Sequence, residues 1–313
     1  MEKTKVQVYR EETIACNKKG RLILRLLIML IVILVTAICG ISGYVGWNLT
    51  HPVRKSVDTY PDTVGLSYAE VSFKSRVDSL NLKGWLIASP NNRRTVIFAH
   101  GYGKNRLQDD VPLLPIVQAL VNRGCNVLMF DFRNCGESEG NLTSVGQYEV
   151  RDLLGAIDFI KAQPELNQQI TLFGFSMGAS VAIIAAAREP SVSAIISDSP
   201  FADLKSYLIE NLSVWTNLPT IPFNQTVLTS IPLLTGLNAD MVSPVKEIKN
   251  LDGRPLLLIH GEADTDIPIE NSELLQKEYP TAKLVRIPEA KHVQSFKVDG
   301  QRYLAEVINF LGK

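Results

Sequence analysis

The sequence predicts an α/β protein: a mostly parallel sheet covered by helices on both faces, behind one long apolar segment. Three observations lead there. Short apolar runs alternate with helical patterns from residue 95 to residue 311. The runs are apolar at nearly every position, as in strands buried from two sides. And Leu26–Trp47, LLIMLIVILVTAICGISGYVGW, carries no charged side chain.

The apolar segment is long enough to span a bilayer. It exceeds the apolar core of a cleaved signal, and a long polar stretch precedes it. Ile38 before Cys39 does not suit lipoprotein cleavage, which needs a small residue there. An uncleaved anchor is expected. Lys18, Lys19, Arg21 and Arg25 crowd its N-terminal flank, with Lys3, Lys5 and Arg10 farther out, against Arg54 and Lys55 beyond Trp47. That bias puts residues 1–25 in the cytoplasm and the bulk of the chain across the membrane. The expected organisation is a tail at 1–25, an anchor at 26–47, a stalk at 48–66 and a catalytic domain at 67–313.

Ala69–Arg76 and Leu82–Ser89 read as an antiparallel strand pair. Six further strands follow: Thr95–Ala99, Asn126–Asp131, Ile170–Gly174, Ser193–Asp198, Pro255–His260 and Ala282–Ile287. Helical patterns cover Asp110–Arg123, Val145–Ala162, Met177–Arg188, Glu270–Glu278 and Arg302–Leu311. Formal net charge is zero, with 32 basic and 32 acidic residues. Such balance gives no basic face for nucleic acid, and none is expected as a partner. Cys125 and Cys135 bracket an extended strand, so roughly 20 Å should part them. A disulfide reaches only about 7 Å between Cα atoms, so none is expected.

The polar residues then fall into a pattern. His100, Asp131, Ser176, Asp198, His260–Asp264 and His292 each lie at or just past a strand's carboxyl end, where an open α/β sheet places its crevice. TLFGFSMGASVAII (Thr171–Ile184) sets Gly-x-Ser-x-Gly between a strand and a helix. By chance a chain of this length meets that spacing about 0.1 times. A serine hydroxyl is a weak nucleophile and needs a base within reach. Of the four histidines, His51 lies by the anchor, and His100 and His260 each end a strand before glycine. His292 stands in a polar loop after the last strand.

HGYG (His100–Gly103), DFRNCGESEG (Asp131–Gly140), GFSMG (Gly174–Gly178), HGEADTDIP (His260–Pro268) and KHVQ (Lys291–Gln294) occur in this order. Together they make the chain resemble the α/β-hydrolase superfamily, in the branch of monoacylglycerol lipases, lysophospholipases and related serine esterases, and its membrane-anchored bacterial members. The resemblance covers roughly Ala69–Lys313. It implies Ser176 as nucleophile, His292 as base and Asp264 as the acid that orients the imidazole, with oxyanion-hole amides from Tyr102 and Met177. Asp198 is the rival acid, and Asp266 ranks below both. Asp131 and Arg133 are expected to brace the loops. No cofactor or metal is expected.

The family places its cap insertion at 199–245. Here that region is apolar, including Phe201, Tyr207, Trp215, Leu228 and Ile231, and Pro219, Pro222 and Pro232 are expected to break it into short pieces. An apolar cap over a serine suggests an acyl or lipid-like ester as substrate. The same machinery would also suit a peptidase or amidase, and a non-catalytic membrane-tethered interaction protein would keep the triad only as a vestige.

Overall fold

The computed structural model describes residues 2–312, except the side chains of residues 2–6, 8 and 11–16. Lys3 and Lys5, singled out above, therefore lie outside the described side chains. Strands β1 (Ala69–Lys74), β2 (Asn81–Ile87), β3 (Arg94–Ala99), β4 (Cys125–Phe130), β5 (Ile170–Phe175), β6 (Val192–Asp198), β7 (Leu256–Gly261) and β8 (Lys283–Ile287) form one sheet. Helix α1 (Glu2–Thr50) precedes them. Helices α2 (Leu113–Asn122), α3 (Glu149–Lys161) and α4 (Met177–Arg188) alternate with the strands, and α5 (Leu204–Thr216), α6 (Thr220–Thr235) and α7 (Pro244–Glu247) follow β6. The chain closes with α8 (Glu270–Glu278), α9 (Ser295–Val298) and α10 (Gly300–Leu311).

The sheet runs β1-β2-β4-β3-β5-β6-β7-β8. The β1–β2 and β2–β4 pairs are antiparallel and all others are parallel. Alternate side chains of each strand feed two cores. On one face Ile97, Leu128, Leu172 and Leu258 meet Leu153 and Ile157 of α3 and Val181 and Ala185 of α4. On the other, Val96, Val127, Phe173 and Leu257 meet Ile116 and Leu120 of α2 and Tyr303 and Val307 of α10. Both faces must be apolar, which is why these strands read as unbroken apolar runs. Cys125 and Cys135 are buried free thiols.

Two stretches differ from expectation. Pro232 lies inside α6 instead of ending a helix. A proline deprives the helix of one hydrogen bond and crowds the preceding turn, but packing along α1 and α5 outweighs that cost here. And α1 continues to Thr50, past the apolar run, with its final turns packed on α6.

The Arg133 guanidinium and amide are held in the interior by Asp152. That carboxylate accepts from the Arg133 amide at 3.0 Å, from Nε at 2.9 Å and from Nη2 at 2.7 Å. Asp78, nearer the surface, takes a further bond from Nη2 at 2.6 Å. A buried cation deprived of its main partner costs about 3 kcal/mol or more. Asp152→Ala should therefore lower the midpoint of thermal unfolding of the full chain by roughly 6–12 °C, at about 2–4 °C per kcal/mol for a domain of this size.

Candidate active site

Between β5 and α4 the backbone reverses around a single residue. Ser176 sits at φ 54° and ψ −121°, a conformation costing a non-glycine residue about 1–3 kcal/mol. Its amide is tied to the Asp198 carbonyl at 2.8 Å. The glycines on either side have a steric reason. A Cβ on Gly174 would lie 2.2 Å from the Gly178 carbonyl oxygen, and one on Gly178 would lie 2.1 Å from the Ala99 oxygen. The turn thus packs directly on the end of β3 and pushes the serine hydroxyl out of the sheet toward the apolar pocket above it.

Ser176, Asp264 and His292, far apart in sequence, meet there. His292 Nε2 lies 2.9 Å from Ser176 Oγ, and His292 Nδ1 lies 2.8 Å from Asp264 Oδ2. An ionised carboxylate only accepts, so Nδ1 carries the proton and Nε2 is left to accept from the hydroxyl. Asp264 is held at both oxygens. Oδ1 accepts from the amides of Asp266 at 3.0 Å and Ile267 at 2.9 Å, while His260 Nε2 stands 3.3 Å from Oδ2. Burial alone would raise this carboxyl. Bonds from His260 and His292 outweigh it and hold the group well below the usual carboxylate range. For His292 burial works downward, but the Asp264 carboxylate wins and raises the imidazole above its ordinary value.

The carboxylate of the rival Asp198 is engaged elsewhere. Asp198 is fully buried and accepts from Tyr303 Oη at 2.8 Å and from Ser199 Oγ at 3.0 Å. Desolvation pushes it up to about 6 against those bonds. Asp266 supplies its amide to Asp264 and its carbonyl to Tyr207 Oη.

The other two strand-end histidines organise loops. His100 Nε2 accepts from the Phe132 amide at 3.0 Å, which leaves Nδ1 to donate to the Gly101 carbonyl at 2.8 Å. Burial lowers its pKa, so it stays neutral. His260 is clasped between Ser272 Oγ at 2.7 Å and the Ile267 carbonyl at 2.8 Å. The HGYG loop lies against the turn, for a Cβ on Gly101 would come 3.4 Å from Ser176 Cβ. Gln108 fixes the loop by accepting the Gly101 amide at 2.6 Å. Asp131 grips the Arg106 amide at 2.7 Å and its guanidinium at 2.5 Å, with both side chains buried. Among the described residues, no acceptor takes the amide of Tyr102 or of Met177.

An apolar cavity of about 100 Å³ lies over Ser176. One water needs about 10–15 Å³ on this scale, so there is room for an apolar group of several methylenes. Its walls include Met177, Leu208, Trp215 and Ile231, and also Leu49 and Thr50 from the end of α1. Sequence reasoning missed those last two, together with Gln108, and saw His260 only as a strand-end histidine before glycine. A signal for α1 was present: Ser42, Gly46 and Thr50 are small residues at four-residue spacing, and all are buried.

Because Gly178 has no room for a Cβ, Gly178→Ala must shift the turn or β3. A destabilisation of about 1–3 kcal/mol, read as a lowered unfolding midpoint, should accompany slower labelling of Ser176 by a fluorophosphonate.

The sequence also matches known proteins. Residues 94–232 match a family model described as alpha/beta hydrolase fold. YqkD of Bacillus subtilis is 31% identical over 234 residues, covering 74% of this chain and 75% of its own. YfhR of Escherichia coli strain K12 is 31% identical over 258 residues, covering 78% and 81%. Among solved structures, the Pyrococcus furiosus esterase Pf2001 superposes with a TM-score of 0.70 at 27% identity, covering 84% of this chain and 97% of its own. Strand order, the serine turn and these matches agree: the chain belongs to the α/β-hydrolase family.

Proposed function

We propose that the protein is a membrane-anchored serine hydrolase that cleaves carboxylic esters of apolar, lipid-like acyl groups. The observation that carries this is the unbroken relay from Ser176 Oγ through His292 to Asp264, at 2.9 and 2.8 Å, beneath an apolar cavity. The likeness to an esterase supports the reaction class.

In this mechanism Ser176 Oγ attacks the acyl carbon while His292 Nε2 takes its proton. Asp264 balances the imidazolium and does not itself become protonated. The amides of Tyr102 and Met177 receive the oxyanion, and Met177 opens α4, whose positive end favours negative charge there. His292 then returns the proton to the leaving alcohol. Water, activated by the same imidazole, releases the acid.

The anchor assignment rests on Asn17–Thr50, a helical stretch long and apolar enough to cross a membrane. Its end walls the cavity, so cleavage of this helix as a signal would remove part of the site. Retention, with the tail in the cytoplasm and the hydrolase body beyond the membrane, fits the basic flank at Lys18, Lys19, Arg21 and Arg25.

Hydrolysis of p-nitrophenyl acyl esters tests the reading. Ser176→Ala and His292→Ala should each lose about three to six orders of magnitude in kcat, and near-normal turnover in either would overturn it. Asp264→Asn should cost about 10⁴-fold, as expected when the imidazole loses the acceptor that sets its tautomer. Asp198→Asn, which does not touch His292, should cost less than Asp264→Asn.

The pH profile follows from the raised His292. The base works only when neutral, so kcat/KM should fall as pH drops through the His292 pKa. With Asp264 present, that midpoint should lie above the ordinary histidine value of about 6.5. Asp264→Asn removes the raising interaction, and the residual activity should titrate at a lower pH.

A further inference from the structure

The last turn of α1 is built into the pocket. A helix end leaves its final carbonyls without intrahelical partners. Here the hydrolase body supplies donors: Tyr102 Oη gives a 2.7 Å bond to the Leu49 carbonyl, and the Thr143 amide a 2.8 Å bond to that of Thr50. Both donors belong to segments that also line the cavity. Farther up, Ser42 Oγ and Thr226 Oγ1 are 2.7 Å apart, and Ser230 Oγ donates to the Ser42 carbonyl at 3.1 Å. A Cβ on Gly46 would lie only 3.0 Å from Ile231 Cγ1 and from Ser230 Oγ, so α6 rests on bare backbone.

The polar atoms of this wall are consumed internally. Thr50 Oγ1 donates to the Gly46 carbonyl at 3.0 Å, Tyr207 Oη to Asp266, and Trp215 Nε1 to Tyr207 Oη. The cavity is thereby left with hydrocarbon to offer, which suits an acyl chain and leaves a polar group without partners.

We propose that the last turn of α1 is an acyl-chain specificity element, the substrate's chain lying against Leu49 and Ile231. Chain-length preference is thus set by the same helix that anchors the protein. The inference rests on the esterase reading and adds to it which chain the site selects and what selects it.

The test uses the full chain in detergent. The ratio of kcat/KM for p-nitrophenyl decanoate over p-nitrophenyl acetate is measured for wild type, Leu49→Phe, Leu49→Ala and Ile31→Ala, and decanoate binding is measured by calorimetry. A change of one methylene in an apolar pocket is worth about 10–200-fold. Leu49→Phe should cut the ratio at least tenfold by filling the pocket, while Leu49→Ala should shift the preference to longer chains. Ile31, exposed on α1, should leave the ratio within twofold. Ratios within twofold for both Leu49 variants, or an equal change in Ile31→Ala, would overturn the inference. If wild type cleaves no ester, the esterase reading fails and calorimetry still decides: decanoate affinity lost in Leu49→Phe upholds the wall, and affinity unchanged in both Leu49 variants removes it.

Discussion

Everything at the site depends on how closely β3, β5 and α4 approach one another. The Gly178 Cα rests against the Ala99 carbonyl, and the Gly174 Cα against the Gly178 carbonyl, with no space for a side-chain atom at either. That contact forces the chain to turn within one residue, and Ser176 takes the positive φ that results. The strain is sustained because the flanking elements over-determine it. The Ser176 amide is tied to β6 and α4 is wholly buried through Ala186. A looser junction would relax the serine into the sheet, out of reach of both His292 and the cavity.

The second requirement is rigidity in the loops that carry the remaining groups. These loops leave the strand ends where no ladder holds them, so side chains do that work. His100 bonds to the Phe132 amide and the Gly101 carbonyl, and the Arg106–Asp131 pair locks the HGYG loop to the end of β4. His260 does the same for the Asp264 loop, bonding to Ser272 and Ile267. The pairing is demanding, since a buried charge without its partner is costly. It leaves the His292 ring supported from one side by a carboxylate with no other freedom. Preorganisation of this kind is what electrostatic stabilisation of an oxyanion requires.

What was legible in the sequence was what local chemistry specifies. The doubly apolar strands report burial on two faces, and each emerged within two residues of its expected start. Gly-x-Ser-x-Gly announces a turn because steric exclusion by a neighbouring backbone can be met only by glycine. The family resemblance, through its ordered motifs, then implied His292 and Asp264 as the partners of Ser176, with Asp198 as the rival acid. The illegible part was long-range. Pro232 reads as a break, yet packing carries α6 through it. His260 looked like a loop histidine, and only the fold reveals that its Nε2 stands beside Asp264 Oδ2. Leu49 and Thr50 lay where a stalk was expected, because nothing local states which domain a helix end will meet.

The relation between α1 and the hydrolase body follows from the same physics. A single apolar helix in a bilayer needs no partner for its backbone until it leaves the hydrocarbon, where its last carbonyls require donors. Water would serve, and a free tether would use it. Here Tyr102 and Thr143 serve, and Ser42 and Gly46 let α6 approach the helix closely. A close, desolvated contact of this kind fixes orientation as well as distance. The body cannot rotate about the helix without unpairing the Leu49 and Thr50 carbonyls. Its pocket therefore keeps one constant aspect toward α1.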